Sequence, residues 1–365
     1  MNSETRGKVA RAFRTPQTTV IQDVPQVRGS PHKDDNGTTS IAAEASLRRR
    51  FHRAALIAVA LAAPVALACQ QDPPVTQPIS PARADAEAAW RKQLDQWRAE
   101  RERELVAPDG WLTLVGLDWL KPGANSFGSA PENQIRVAGA PPHVGLFTVS
   151  GTNLQLLAPN GGFPHGLMLD GKPAREGSLS ADPAKPSTLT WHTLTMVILP
   201  RGGRYALRTK DSNAPTRTGF HGLHWYSPDL HYSVVAQWIP HNPPHQLNIP
   251  TRVGTTLNLP APGVAEFTLD GKTLRLEPVL ESSRDTSLFF ILRDSTSQST
   301  TYQAARFLRT VFPDHGLSQP GTLVLDFNQL YNPPCAYTPY ATCPLPPEQN
   351  RLPVAIEAGE QRYAQ

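Results

Sequence analysis

"VAEFTLDGKTLRLEPV", Val264 to Val279, decides how this chain is read. Ala265, Phe267 and Leu269 alternate with Glu266 and Thr268, and Leu274 and Leu276 alternate with Thr273 and Arg275. A period of two belongs to a strand with one buried face. Asp270-Gly271 separates the two runs. Both residues of such a turn take positive φ, which glycine and aspartate tolerate best, so the stretch reads as an antiparallel hairpin.

The same texture extends outward in both directions. Upstream, compact or alternating apolar runs occur at "WLTLVGLDWL", "LFTVSG", "LQLLA", "LTWHTLTMVIL" and "YALRTK". Downstream they occur at "SLFFILRDS", "ARFLRT" and "GTLVLDF". Turn residues punctuate them every 8–12 positions, the spacing of an antiparallel sandwich or barrel. The 365 residues include 37 prolines and 25 glycines, which also favours short strands. One segment reads as a helix, Asp85 to Leu105. Ala89, Leu94, Trp97 and Arg101 fall near one face, and Trp90 and Trp97, seven apart, are expected to dock on the domain that follows.

The fold expected is therefore mostly β. Residues 85–110 form the helix, 111–200 a β-sandwich, and 201–365 a second antiparallel β-rich domain, barrel or sandwich, ending in a Pro/Tyr/Cys loop. Residues 1–69 read as an address and 70–84 as a tether. Arg48-Arg49-Arg50-Phe51 precedes fifteen uncharged residues, Ala54 to Ala68, a basic stretch then a short apolar run. Val65-Ala66-Leu67-Ala68-Cys69 resembles the bacterial lipobox, which implies acylation of Cys69 and an exported, membrane-anchored lipoprotein on the periplasmic face or cell surface. Arg-Arg-x-Phe also resembles a twin-arginine signal, but Leu47 stands where Ser or Thr is preferred, so the general export route stays open.

Charge excludes one class of function. The net +4 comes from the address: residues 1–68 hold 10 basic and 5 acidic residues, and removing them from totals of 35 and 31 leaves 25 against 26. A near-neutral body is not a nucleic-acid binder. No Gly-x-Ser-x-Gly elbow, phosphate-cradling glycine loop, His-Glu-x-x-His or dinucleotide fingerprint is present. His221, His224, His231, His241 and His245 fall close together, but glycine and proline interrupt helical spacing and no carboxylate completes a pattern. They read as structural or solvated histidines. Neither a metal nor another cofactor is expected.

Residues 111–200 resemble a forkhead-associated domain, a β-sandwich that reads phosphothreonine. Gly128, Asn133 and Ile135 match its motif, and His143 its later histidine. Ser129 replaces the arginine and Ala140 the serine that hold phosphate, so phosphothreonine binding is not expected.

"LYNPPCAYTPYATCPLPPEQNRLP", Leu330 to Pro353, is the richest local pattern. Proline fixes φ and lacks an N–H, so it is neither helix nor central strand. Cys335 and Cys343 lie eight apart and have three readings: a disulfide, two free buried thiols, or a nucleophile or ligand. With "GWLTLVGLDWL", "KDS" and "FHGLHWY", the segment resembles the bacterial family catalogued as domain of unknown function 1684, over about residues 90–363. Asp326, Asn328, Tyr331, Asn332, Cys335, Tyr337, Tyr340, Cys343, Asn350, Arg351 and Glu357 carry the match. The resemblance implies no activity, and the family pattern commonly has other residues at His224, His241 and His245.

Two functions from different classes follow. The first is a ligand-binding or scaffold module of the cell envelope, for an unknown small molecule or envelope protein. Its pocket would be lined by Lys210, Asp211, Arg217, Asp326, Asn328, Tyr331, Asn332 and Arg351, with Glu357 beside them. The cluster Lys210-Asp211-Ser212 and Arg217 also reads as plain turn chemistry. The second is a hydrolase-type enzyme, with Asp326 or Glu357 as general base and Arg217 or Arg351 stabilising an anion.

Overall fold

The hairpin at Asp270-Gly271 forms as read. In the computed structural model, which describes residues 81–363, Leu269 pairs with Lys272, Phe267 with Leu274 and Ala265 with Leu276. Asp270 and Gly271 have φ of 51° and 73°, the two positive values the turn demands. Ala265, Phe267, Leu269, Leu274 and Leu276 are buried, while Glu266 and Arg275 bond on the outer face, Nε to Oε2 at 2.7 Å. The address, Cys69 and residues 70–80 of the tether lie outside the described residues, while Pro81 to Ala84, expected in the tether, already belong to the helix. No described helix is long and apolar enough to cross a membrane.

Four sheets make up the β-body of the described residues. A six-stranded sheet runs in the order Leu114–Trp119, Arg204–Asp211, Leu194–Arg201, Thr188–Trp191, Met168–Leu169, Lys172–Pro173. A five-stranded sheet runs Ile135–Arg136, Gly123–Gly128, Gly145–Ser150, Asn153–Leu157, Gly177–Ser178. One core joins these two, with Phe127, Phe147, Leu156, Met196, Ile198 and Leu207 among its members, so they form a sandwich. The expected boundary at residue 200 falls inside a hairpin of this sandwich. Leu194–Arg201 turns at Gly202-Gly203 and pairs along its length with Arg204–Asp211.

Gly128, Asn133 and Ile135, the matched forkhead-associated positions, shape one loop. A Cβ on Gly128 would strike the Pro142 carbonyl. Asn133 Nδ2 donates to that same carbonyl at 2.7 Å, and Ile135 is buried in the core. Their pattern is thus met by backbone packing needs.

The third sheet runs Lys272–Leu276, Thr256–Leu269, Ser233–Pro250, Gly321–Asp326. The fourth is the pair Ser287–Leu292 and Arg306–Val311. Trp238, Phe267, Leu288, Phe290, Leu308, Leu325 and Phe327 pack between them, joined by Leu352, Val354, Ile356 and Ala358 of the C-terminal segment. In that segment the buried residues alternate, so it lies against the core as extended chain without joining a sheet.

The helix spans Pro81–Val106. Its inner face is Trp90, Leu94, Trp97, Arg98, Arg101 and Leu105, at spacings of three and four, while Ala89 is exposed. Its docking corrects the expectation. Trp97 packs edge-on against Trp225 at 5.7 Å and near Tyr331, and Trp90 Nε1 donates to Asp326 Oδ2 at 2.8 Å. These partners belong to the C-terminal half, not to the sandwich that follows the helix in sequence. Apolar rings and an indole N–H found their complements there, which periodicity alone could not locate.

Candidate functional site

The proline-rich loop is built around a buried carboxylate. Glu360 is fully buried. Its Oε2 accepts from the Asn332 backbone N–H at 3.0 Å, and its Oε1 accepts from Asn332 Nδ2 at 2.7 Å and from the Tyr337 hydroxyl. Arg101 Nε stands 3.8 Å from Oε2, and Arg101 Nη2 donates to the Asn332 carbonyl at 2.9 Å. The guanidinium also faces the rings of Tyr331, at 4.8 Å, and Tyr337, at 5.9 Å. Burial pushes the Glu360 carboxyl up, against the pull of Arg101 and its donors. Spacing places Arg101 on the docking face of the helix but not in a site, and Glu360 is not among the expected site residues. Each sits in a different segment from the loop, and nothing in the sequence joins either to Asn332 and Tyr337.

The nine residues expected to line one pocket do not converge. Lys210 Nζ donates to the Asp109 carbonyl at 2.6 Å, and Asp211 accepts from Asn213 N in a turn. Arg217 donates to the carbonyls of Val106 and Ser212 at 2.7 and 2.8 Å, capping the end of the helix. The turn reading of this cluster is the one the geometry matches. Asp326 accepts from Trp90 on one oxygen and from Asn328 N and Nδ2 on the other. Asn328 itself is buried and exchanges bonds with the Asp229 backbone. Tyr331 and Asn332 belong to the Glu360 network. Arg351 and Glu357 are exposed, on a stretch whose neighbours Leu352 and Ile356 turn inward. The polar side chains are spread along the chain because each satisfies local backbone or a buried partner.

In this structure Cys335 and Cys343 are buried and not bonded to each other. Cys335 N donates to Cys343 Sγ at 3.1 Å. Arg252 Nη1 donates to the Tyr302 hydroxyl at 2.7 Å, which donates to the Cys335 carbonyl at 2.9 Å. The hydrogen bond from Cys343 brings the Cys335 thiol down to about 7, while burial and that same bond push Cys343 well above the usual thiol range. Native protein is therefore expected to form one thiolate with a midpoint near pH 7, followed at 240 nm. Cys335→Ser should abolish the step, and Cys343→Ala, which removes the donor, should move it upward.

One cluster of ligand-type side chains does converge. His241 Nε2 and His245 Nε2 lie 2.9 and 2.6 Å from the same oxygen, Glu277 Oε1. Their rings are 4.3 Å apart. Pairing of strands Ser233–Pro250 and Thr256–Leu269 runs Pro240 to Gly263 and then jumps to His245 and Ala261, so four residues bulge opposite one. That bulge turns both histidines toward Glu277, just beyond the end of Lys272–Leu276, the strand across Thr256–Leu269 in the same sheet. Glu277 is buried, its N–H donating to Asn350 Oδ1 at 2.8 Å and its carbonyl accepting from Asn350 Nδ2 at 2.9 Å. Gln349 Nε2 donates to the other carboxylate oxygen at 2.6 Å. His221 and His224 are exposed, and His231 bonds Asp270 at 2.8 Å. Sequence reading missed the carboxylate because it lies over thirty residues away and only strand pairing delivers it.

Residues 218–361 match the model of a family described as "Protein of unknown function (DUF1684)". The chain belongs to that family through this domain, and the matched span is narrower than the 90–363 expected. Among solved structures the chain is similar to the uncharacterized protein from gene locus rrnAC0354 of Haloarcula marismortui, determined by solution NMR. The two are 32% identical, the similarity covers 40% of this chain and 78% of that one, and the TM-score is 0.34. No curated protein matches the chain.

Proposed function

We propose that the protein is an exported, lipid-anchored binding module of the cell envelope, and that it engages an envelope protein through the outer face of its third sheet. The observation that carries this reading is a run of exposed apolar residues on that face. Val235 and Val324 are direct cross-strand partners, 63% and 52% exposed, and Ile239 follows on the same face at 42%. Isolated exposed valines mean little, but apolar residues paired across neighbouring strands form a patch whose burial releases water. The hydrolase alternative lacks comparable support, because both Asp326 oxygens are already engaged by Trp90 and Asn328.

The reading has two separable tests. Mass spectrometry of the mature protein is expected to find an acylated N-terminal Cys69, and Cys69→Ala should move the chain from the membrane to the soluble fraction. A photo-crosslinking side chain at Gln237, between the valines and Ile239, should give a discrete adduct in cells. The double variant Val235→Asp/Val324→Asp should remove the adduct while leaving the circular dichroism unchanged. An adduct that survives the double variant would remove the sheet face from the proposal, and an unmodified N-terminus upstream of Cys69 would remove the anchor.

A further inference from the structure

We infer that His241, His245 and Glu277 form a binding site for one divalent transition-metal ion, zinc being the best chemical match. Three donor atoms of the required kinds, two imidazole nitrogens and one carboxylate oxygen, lie within 4.8 Å of one another. Zinc takes nitrogen and oxygen ligands at about 2.0–2.2 Å in a tetrahedron. That geometry sets neighbouring donors roughly 3.3 Å apart, so the present spacings of 2.6 and 2.9 Å need only a small side-chain separation.

The arrangement is harder to account for as a plain ion pair. Both Nε2 atoms aim at one oxygen, and the two ring centroids lie 4.3 Å apart at a tilt of 40°. Without a cation, each ring must keep its proton on Nε2 to be held there, and charging both rings would set like charges side by side. A single metal ion satisfies both nitrogen lone pairs and the oxygen together. The surroundings are also those of a supported ligand. Gln349 holds Glu277 Oε2, which leaves Oε1 as a single-oxygen donor, and Asn350 grips the Glu277 backbone on both sides. Such outer bonds orient a metal ligand and raise affinity by about 10–100-fold. Glu277 is buried while His245 is half exposed, so the cluster opens toward solvent on the His245 side. Three protein ligands with an open fourth direction admit water or a ligand atom from a second molecule. Bare imidazole–carboxylate chemistry also accepts cobalt, nickel and copper, with copper the tightest on general grounds.

This inference is independent of the sheet-face reading and is tested apart from it. The full untagged chain is stripped with EDTA, dialysed, and titrated with zinc chloride by calorimetry. One saturable site per chain is expected. Cobalt substitution should give visible absorption bands of tetrahedral strength. His245→Ala should weaken zinc by at least about 100-fold and Gln349→Ala by about tenfold, the ligand losing more than its outer support. His224→Ala and His231→Ala should change nothing. His245 bonds only Glu277 and lies at the surface, so its variant is expected to keep the native circular dichroism. Absence of a saturable site would overturn the inference. So would a zinc isotherm left unchanged by His245→Ala in folded protein, which would put the ion elsewhere.

Discussion

Arg306→Ala is expected to destabilise the protein by about 3–5 kcal/mol, read as a lower urea midpoint at unchanged slope. Arg306 and Asp294 are both fully buried, Nη1 to Oδ2 at 2.8 Å. The same guanidinium donates to the Ile356 carbonyl at 2.9 Å and to the Ala358 carbonyl. Asp294 Oδ1 in turn accepts from Thr296 and from Ile356 N at 3.3 Å. Deleting the arginine leaves a buried carboxylate without its counter-charge and two main-chain carbonyls without donors. The apolar double variant Arg306→Met/Asp294→Leu should recover part of the loss, since a buried pair costs much of its own attraction in desolvation. Recovery should stop short of wild type, because methionine cannot bond Ile356 and Ala358. A midpoint for Arg306→Ala within experimental error of wild type would contradict the burial that the structure assigns.

Glu360→Ala is expected to cost a similar ~3–5 kcal/mol, because it removes the counter-charge of Arg101 and the shared acceptor of the Asn332 N–H, Asn332 Nδ2 and the Tyr337 hydroxyl. Its pH dependence separates it from Arg306→Ala. Burial lifts the Glu360 carboxyl above its ordinary 4.5. The native state therefore holds this proton more tightly than the unfolded chain does. Between the unfolded value and the raised native one, stability falls as pH rises. Urea midpoints of wild type should decline across that window, and Glu360→Ala should flatten the slope that this group contributes. An unaltered slope would assign the dependence to other groups.

Legibility of the chain followed the range of the physics. The Asp270-Gly271 hairpin was readable because its alternation and its turn lie within sixteen residues. The helix was readable for the same reason, although its partner was not. Trp90 and Trp97 advertise a docking face, yet their complements Asp326, Trp225 and Tyr331 are distant in sequence. The metal-type cluster failed in the same way. His241 and His245 read as structural or solvated histidines in the sequence, since their carboxylate arrives only through strand pairing. Polar residues of the loop misled in the opposite direction. Asn332, Asn328 and Arg217 look like a site by residue type, whereas the structure spends Asn332 on the buried Glu360 carboxylate and Asn328 and Arg217 on backbone carbonyls. A residue type tells what bonds it can make, and only the fold tells which of them are already made.

The docking of the helix has a consequence for the order of events in synthesis. Arg101 meets the carbonyl of Asn332, 231 positions later, and Glu360 beyond it. Trp90 meets Asp326, 236 positions later. The helix emerges among the first of the described elements and can meet Leu112 and later Trp225, but Asp326, Tyr331, Asn332 and Glu360 reach its buried face only when nearly the whole body has been made. A chain still being synthesised thus carries an amphipathic helix with Leu94 and Trp97 open to water. Completion is a late closure, in which residues 326–360 clasp the helix. Chains interrupted before residue 360 should stay open and sensitive to proteases at the helix, however well the intervening sheets have formed.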